Sequence, residues 1–263
     1  MRRRIAGVLG LAALAAFVFL PLVQVVLLSF TATLPRDAPA PGTLTLLNYR
    51  NVFAVDRLAD SLVNSVVYVT LNVALTLAVA LPAAYAFARY RFRGSGAAFF
   101  ALLAFRVTPP VVLSLPVFLV FSRVDLLNTP VGVALAHSTF NVPVAVWILV
   151  GFISGVPRAF DETAFLDGHS VPSFVLRLLV PVIAPGIGAA AFFCFVFSWV
   201  EVVFARTLTI TGGKPITTAI SSLFGFQTDV GLVMAMTTLS LVPGMVMIWA
   251  VRRHLSHGFT IRV

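Results

Sequence analysis

Charged residues are scarce in this sequence. Lys, Arg, Asp and Glu together make up 10% of the 263 residues, whereas hydrophobic residues make up 60%. In soluble globular domains about a quarter of the residues are charged. A chain of this length with so little charge cannot cover its apolar surface in water. The composition therefore excludes a soluble domain and predicts an all-α integral membrane protein, because apolar runs of about 18 residues or more form transmembrane helices.

Cysteine and lysine occur once each. The single cysteine, Cys194, excludes a disulfide within the chain. The single lysine, Lys214, follows a glycine, but Leu208 and Pro215 stand where a phosphate-binding loop needs Gly and Ser or Thr. The chain therefore lacks that ATP site, and any ATP must be bound by a partner. The net charge of +9 collects at the ends of apolar runs, which favours a lipid bilayer over nucleic acid as the partner.

Catalytic and metal-binding patterns are also lacking. His137 and His169 are far apart in sequence, and His254 and His257 lie near the C-terminal end, which is too few ligands for a metal site. No nucleophile and base pair stands out, so an intramembrane enzyme is excluded. We interpret each histidine as an interfacial or surface residue.

Six apolar runs are present, and we predict six spans in one membrane domain over residues 1–263. The predicted spans cover residues 5–30, 62–88, 97–121, 131–153, 182–204 and 231–251. Six spans put both termini on one side. Of the eighteen Lys and Arg residues, eleven flank the spans on that side and six on the other. The excess of positive charge predicts cytoplasmic termini, with outer loops at 31–60 and 205–230.

A polar segment at residues 157–181 interrupts the apolar runs. Pro157 and Pro172 suit the first turn of a helix, and Gly168 suits a turn with positive φ. This pattern predicts a short helix, a turn and a second helix. Ala164 and Gly168 are four residues apart and have almost no side chain, so we expect a small patch that another protein can approach closely.

This segment resembles the EAA loop of permease subunits of binding-protein-dependent ABC importers. Glu162, Ala164, Gly168 and Pro181 stand at the spacing of that motif, and Thr163 replaces its first alanine. The resemblance implies the type I importer permease fold in the inner membrane of a bacterium or archaeon. It also implies a second permease, an extracytoplasmic solute-binding protein, and two cytoplasmic ATPases that bind ATP and Mg. In the family this loop docks in a cleft of the ATPase, which gives five candidate coupling residues: Glu162, Thr163, Ala164, Asp167 and Gly168.

Three further stretches are similar to the carbohydrate branch, and more narrowly to the second permease of maltose-type and glycerol-phosphate-type importers. They are Asn48-Tyr49, Arg106-Val107-Thr108-Pro109-Pro110 and Ser198-Trp199-Val200-Glu201. The family usually has Asn at the position of Val200 and an aromatic residue at that of Val202. The resemblance implies import of a sugar, polyol or sugar derivative. The sequence specifies neither the solute nor which of the two permeases holds it.

Four residues are candidates for the solute pathway: Arg106, Asn141, Trp199 and Glu201. Arg106 lies about ten residues into the third run, near the bilayer midplane at 1.5 Å per residue. A charge there costs roughly 2.5–3.5 kcal/mol and should face a cavity or a partner. The alternative is a structural contact of Arg106 with Glu201 or with a backbone carbonyl.

Two other functions remain open at this point. Permeases for polyamines or other small solutes share the EAA loop. An ion-driven secondary transporter usually has intramembrane carboxylates and inverted repeats. This sequence offers one such carboxylate, Glu201, and no visible repeat.

Overall fold

The structure is a computed structural model that describes residues 2–32, 42–225 and 228–258, with side chains described from residue 7 to residue 252. The described residues form thirteen α-helices and no strand. Residues 33–41 of the predicted outer loop and residues 259–263 lie outside the described residues. The helices are α1 Arg2–Ser29, α2 Leu47–Ala54, α3 Asp56–Arg89, α4 Ser95–Phe105, α5 Pro110–Arg123, α6 Pro130–Ser154, α7 Arg158–Leu166, α8 Val171–Phe174, α9 Val180–Val182, α10 Ala184–Trp199, α11 Val203–Leu208, α12 Ile216–Leu223 and α13 Val230–Gly258.

Four helices, α1, α3, α6 and α13, are long and apolar enough to cross a membrane. Two bent pairs of helices also meet this test, so the described residues contain six spans if each pair counts as one. The expected all-α membrane fold is confirmed, and the expected six spans are the upper end of a count of four to six. Of these four helices, α1 packs least against the rest of the chain, because 0% of its most apolar stretch is buried within the protein.

The third predicted run is not one straight helix. α4 and α5 meet at an angle of 95°. Pro109 is extended, with φ −62° and ψ 130°, and Pro110 begins α5. A residue before proline is pushed out of the helical region by the proline ring, so the helix ends there. Arg106 directly follows α4 as its C-terminal capping residue and therefore lies at the bend.

The fifth predicted run, 182–204, also needs correction. Residues 171–182 meet α10 at 85°, and a π-helical turn, Val175–Leu179, lies just before this bend. α10 ends at Trp199, and α11 begins at Val203. Glu201 consequently lies beyond the end of α10 and not within a helix. The predicted polar loop at 205–230 contains most of α11 and all of α12.

A buried polar cluster joins the three central helices α3, α6 and α10. Asn72 Oδ1 accepts hydrogen bonds from Ser138 Oγ at 3.2 Å and from Asn141 Nδ2 at 3.3 Å. Asn141 Nδ2 also donates to the carbonyl of Cys194 at 3.3 Å. In the membrane interior each polar group needs a partner within the protein, so these bonds fix how the three helices pack.

The two ends of α3 contact different parts of the chain. Near its start, Ser65 Oγ accepts a hydrogen bond from the Ile216 amide at 2.7 Å, and Tyr68 donates to the Gly213 carbonyl. Its last residue, Arg89, binds Asp161 of α7. Ser65 and Arg89 are about 36 Å apart along a helix that rises 1.5 Å per residue. The 209–215 loop and α7 therefore lie at opposite ends of the helix bundle.

Candidate functional site

The polar segment forms the predicted helix, turn and helix. α7 ends in a turn at Gly168, whose φ is +84°. The Gly168 amide donates to the Phe165 carbonyl at 3.1 Å, and the His169 amide donates to the Ala164 carbonyl at 3.0 Å. This pair of bonds is the Schellman motif, in which a glycine with positive φ closes the helix. The turn fixes the direction in which α8 leaves α7.

α7 has one face turned to the chain and one turned away. Asp161 and Ala164 are buried on the inner face, at 6% and 4% exposure. The predicted small patch of Ala164 and Gly168 is therefore not formed, because Ala164 packs in the core of its own chain. Gly168 remains open, since a Cβ placed there would meet nothing within 4 Å.

The outer face of α7 combines polar groups with one large apolar side chain. Glu162, Thr163 and Asp167 are exposed, and Leu166 is 88% exposed. The sequence did not single out Leu166, because it follows Phe165 and resembles any apolar residue of an amphipathic helix. We call the exposed set Glu162, Thr163, Leu166 and Asp167 the outer α7 face.

Three of the four candidate pathway residues line one cavity of about 270 Å³ at the α4–α5 bend. They are Arg106, Asn141 and Glu201, and His137, Phe197 and Ser198 line it too. Trp199 lies apart: its Nε1 donates to the Ser240 carbonyl of α13 at 3.1 Å. The structure therefore gives Trp199 a contact between helices.

Arg106 contributes an accessible cation to this cavity. Its guanidinium lies 4.7 Å from the ring centroid of Phe197, a distance typical of a cation–π contact. Among the described residues it forms no ion pair, so the alternative of an Arg106–Glu201 pair is not found. Its donors remain available to a bound molecule.

Glu201 has a different environment from the one expected for a pathway residue. Its carboxylate accepts hydrogen bonds from the amides of Val203, Phe204 and Ala205 at 2.7, 3.0 and 3.1 Å. These amides begin α11 and have no partner within the helix, so Glu201 satisfies the start of that helix. A carboxylate there is also stabilised by the helix dipole.

His137 completes this arrangement, and our interpretation of it as an interfacial or surface residue is wrong. It is buried at 5% exposure. Its Nε2 donates to Glu201 Oε2 at 3.1 Å, and its Nδ1 is 2.6 Å from Ser198 Oγ. α6, α10 and α11 are thereby joined beside the cavity. Its partners are 61 and 64 residues away in sequence, so the one signal for His137 was its position as an ionisable residue within the fourth apolar run.

The described part of the chain offers binding groups at two places. No group of three or more His, Cys, Asp or Glu residues that could hold a metal occurs there. The arrangement consists of an exposed helix face at one end and a cavity with one free cation at a bend. Such an arrangement can bind a partner and a polar solute.

Comparisons with known proteins agree with this description. A model of the family described as binding-protein-dependent transport system inner membrane component matches residues 53–259. The chain is 28% identical over 252 residues to the trehalose transport system permease protein SugB of Mycobacterium tuberculosis, covering 93% of this chain and 91% of that protein. It is 24% identical over 224 residues to the diacetylchitobiose uptake system permease protein DasC of Streptomyces coelicolor, covering 84% and 80%.

Among solved structures, the chain is similar to one from a bacterial ABC transporter involved in the import of the acidic polysaccharide alginate. The TM-score is 0.76 at 19% identity, with 99% of this chain and 98% of that chain covered. At this identity the likeness shows the fold, which is the type I permease fold. The family model covers more than half of the chain, and the chain therefore belongs to the family of binding-protein-dependent transport system inner membrane components.

Proposed function

We propose that this chain is the permease subunit of an ATP-driven importer for a sugar, polyol or sugar derivative. This proposal rests on the structure of the membrane bundle. The bundle exposes a short helix at one end and has a cavity lined by a cation at a bend. The names of relatives that transport trehalose and diacetylchitobiose support a carbohydrate as the solute. The chain itself forms half of the translocation pathway.

The outer α7 face is the docking surface for a cytoplasmic ATPase in this proposal. Leu166 supplies an apolar contact and Glu162 a charge, and both lie on a helix whose end is closed at Gly168. Two ATPase subunits bind ATP and Mg, since this sequence has no phosphate-binding loop of its own. The excess of Arg near α7 and the termini supports a cytoplasmic location for them.

The cavity at Arg106 faces a second permease in this proposal. Val107 lies at the bend and Val200 lines the cavity, and they are 81% and 61% exposed. Exposed apolar groups in a membrane protein face either lipid or protein. Lipid is disfavoured beside a guanidinium that lies about 16 Å from the start of α4, roughly half of the 30 Å hydrocarbon thickness. A second permease would close the cavity around a solute delivered by a solute-binding protein.

Uptake in proteoliposomes tests the proposal. The complex of both permeases and the ATPase is reconstituted with the binding protein outside, and a panel of labelled sugars is added with trehalose first. We expect uptake of at least one sugar that requires both ATP inside and the binding protein. Labelled putrescine is added to the panel, and uptake of putrescine alone would favour the polyamine alternative. Uptake without the ATPase, driven by an ion gradient, would show a secondary transporter and overturn the proposal.

A further inference from the structure

A buried ion pair joins α7 to the end of α3. Arg89 Nε donates to Asp161 Oδ2 at 2.8 Å, and Arg89 Nη2 donates to Asp161 Oδ1 at 2.9 Å. The two side chains are only 7% and 8% exposed. Tyr85, one helical turn before Arg89, donates to the same carboxylate at 3.2 Å. The carboxylate of α7 is therefore held by three hydrogen bonds from two residues of α3.

Aromatic packing surrounds this ion pair on the same elements. Phe174 of α8 is 0% exposed. Its ring centroid lies 6.1 Å from that of Tyr85, 5.7 Å from that of Phe160 and 5.4 Å from that of Phe165. Both helices of the segment thus pack against α3 around one buried ring. The ion pair and the ring together hold α7, α8 and the end of α3 as one unit.

A guanidinium paired with a carboxylate restricts the relative motion of two helices more than apolar packing does. A bidentate arginine–carboxylate pair fixes both distance and orientation, whereas apolar contacts allow neighbouring helices to slide. Such a pair gives little net stability, because removing both charges from water offsets their attraction. A fixed angle between α7 and α3 is therefore the main property that the pair provides.

We propose that Arg89, Asp161 and Tyr85 are positioning residues that make α7 and α3 move as one rigid unit, so that motion of the docked ATPase reaches the central helices. This proposal depends on the proposed function. α3 also carries Asn72, which contacts α6 and α10 through the buried polar cluster. A displacement of α7 is thereby passed to all three central helices.

The test compares solute imported per ATP hydrolysed in the reconstituted complex, with the labelled sugars of the panel as probes. Asp161→Asn keeps the shape of the side chain but removes the charge, and Arg89→Gln removes the other partner. We expect each variant complex to hydrolyse ATP but to import about fivefold less sugar per ATP or worse, the lower end of usual coupling between sites. The charge exchange Arg89→Asp with Asp161→Arg should recover part of this ratio, because the pair is restored in reverse.

Matched controls are Asp125→Asn and Arg123→Gln, which make the same changes at exposed positions, and both should leave the ratio unchanged. An unchanged ratio in assembled Asp161→Asn and Arg89→Gln complexes would overturn the proposal. If these variants fail to assemble, Tyr85→Phe removes only one hydrogen bond, and an unchanged ratio there overturns it equally. Absence of ATP-dependent uptake by the wild-type complex is a separate result, which would refute the proposed function itself.

Discussion

Arg106 and Glu201 are both ionisable residues in apolar surroundings, yet their contacts give them different roles. The Glu201 carboxylate accepts hydrogen bonds from three backbone amides and from His137. Arg106 contacts an aromatic ring and forms no ion pair among the described residues. Loss of Glu201 should therefore affect folding, and loss of Arg106 should affect transport.

For Arg106→Ala we expect normal assembly and roughly tenfold lower uptake. A hydrogen bond to a charged group contributes about 1.5–3 kcal/mol, and about 1.4 kcal/mol changes an affinity tenfold. Uptake of the labelled sugars and recovery of the complex in size-exclusion chromatography measure the two effects. Arg206→Ala, at an exposed arginine, is the matched control. Poor recovery of Arg106→Ala with normal uptake per complex would assign Arg106 a structural role.

For Glu201→Ala we expect poor recovery and a lower unfolding temperature of the purified complex. The change removes the acceptor for three amides and leaves His137 without its carboxylate partner. An unsatisfied buried polar group costs about 1–3 kcal/mol. Asp60→Ala removes a carboxylate that is exposed on α3, and it should leave the unfolding temperature unchanged. Equal unfolding temperatures for the two variants would contradict the capping role of Glu201.

At Gly168 the effect of backbone strain can be measured separately from the effect of a contact with a partner. A side chain at its φ of +84° is strained by about 1–2 kcal/mol. Gly42 has a φ of +91°, and a Cβ at either glycine would meet nothing within 4 Å. Val at either position should cost similar strain, but Gly168→Val should also obstruct the ATPase that we propose docks at α7. We expect co-purification of the ATPase to fall for Gly168→Val and not for Gly42→Val.

At the scale of the element, the sequence predicted the helices and turn of the polar segment but not the faces of α7. Proline and glycine determine local backbone geometry, so Pro157, Gly168 and Pro172 were sufficient for the first prediction. Which face of α7 is buried depends on how it packs against α8 and against α3, whose Arg89 is 72 residues away from Asp161 in sequence. Ala164 was therefore expected at the surface, and Leu166 was overlooked.

The bends in the third and fifth runs were also only partly predictable: local residues were visible in the sequence, but the three-dimensional arrangement was not. Pro109 and Pro110 were visible, but hydropathy alone gives a run of apolar residues without its shape. The structure places a bend of 95° there, and this bend brings Arg106 beside Asn141 and Glu201. All three residues were candidates because they are polar or ionisable residues within predicted apolar runs. His137 also lies within such a run, but its partners come from α10 and from the turn that follows it, so its contacts were not predicted.

The exposure of Leu166 on the outer α7 face leads to a prediction for this residue. Leu166→Ser should weaken ATPase binding, because burying a leucine side chain contributes about 1.5–3 kcal/mol. The folded permease should be unaffected, since this side chain is 88% exposed. Leu44→Ser is a matched control at a leucine that is 78% exposed in the predicted outer loop. Equal co-purification of the ATPase with both variants would remove Leu166 from the docking surface.

At the scale of the whole molecule, the distribution of arginine and the ends of α3 lead to one prediction of topology. The 209–215 loop and α7 lie at opposite ends of α3, so one should face the cytoplasm and the other the outside. The arginine excess assigns α7 to the cytoplasm. Single cysteines at Ser170→Cys and Thr211→Cys, both exposed positions, are made in a Cys194→Ala background. In intact cells an impermeant thiol reagent should label only the cysteine at position 211. In permeabilised cells it should label both, because the barrier has been removed. Labelling of both positions in intact cells would contradict the six-span topology, and labelling of position 170 alone would reverse its orientation.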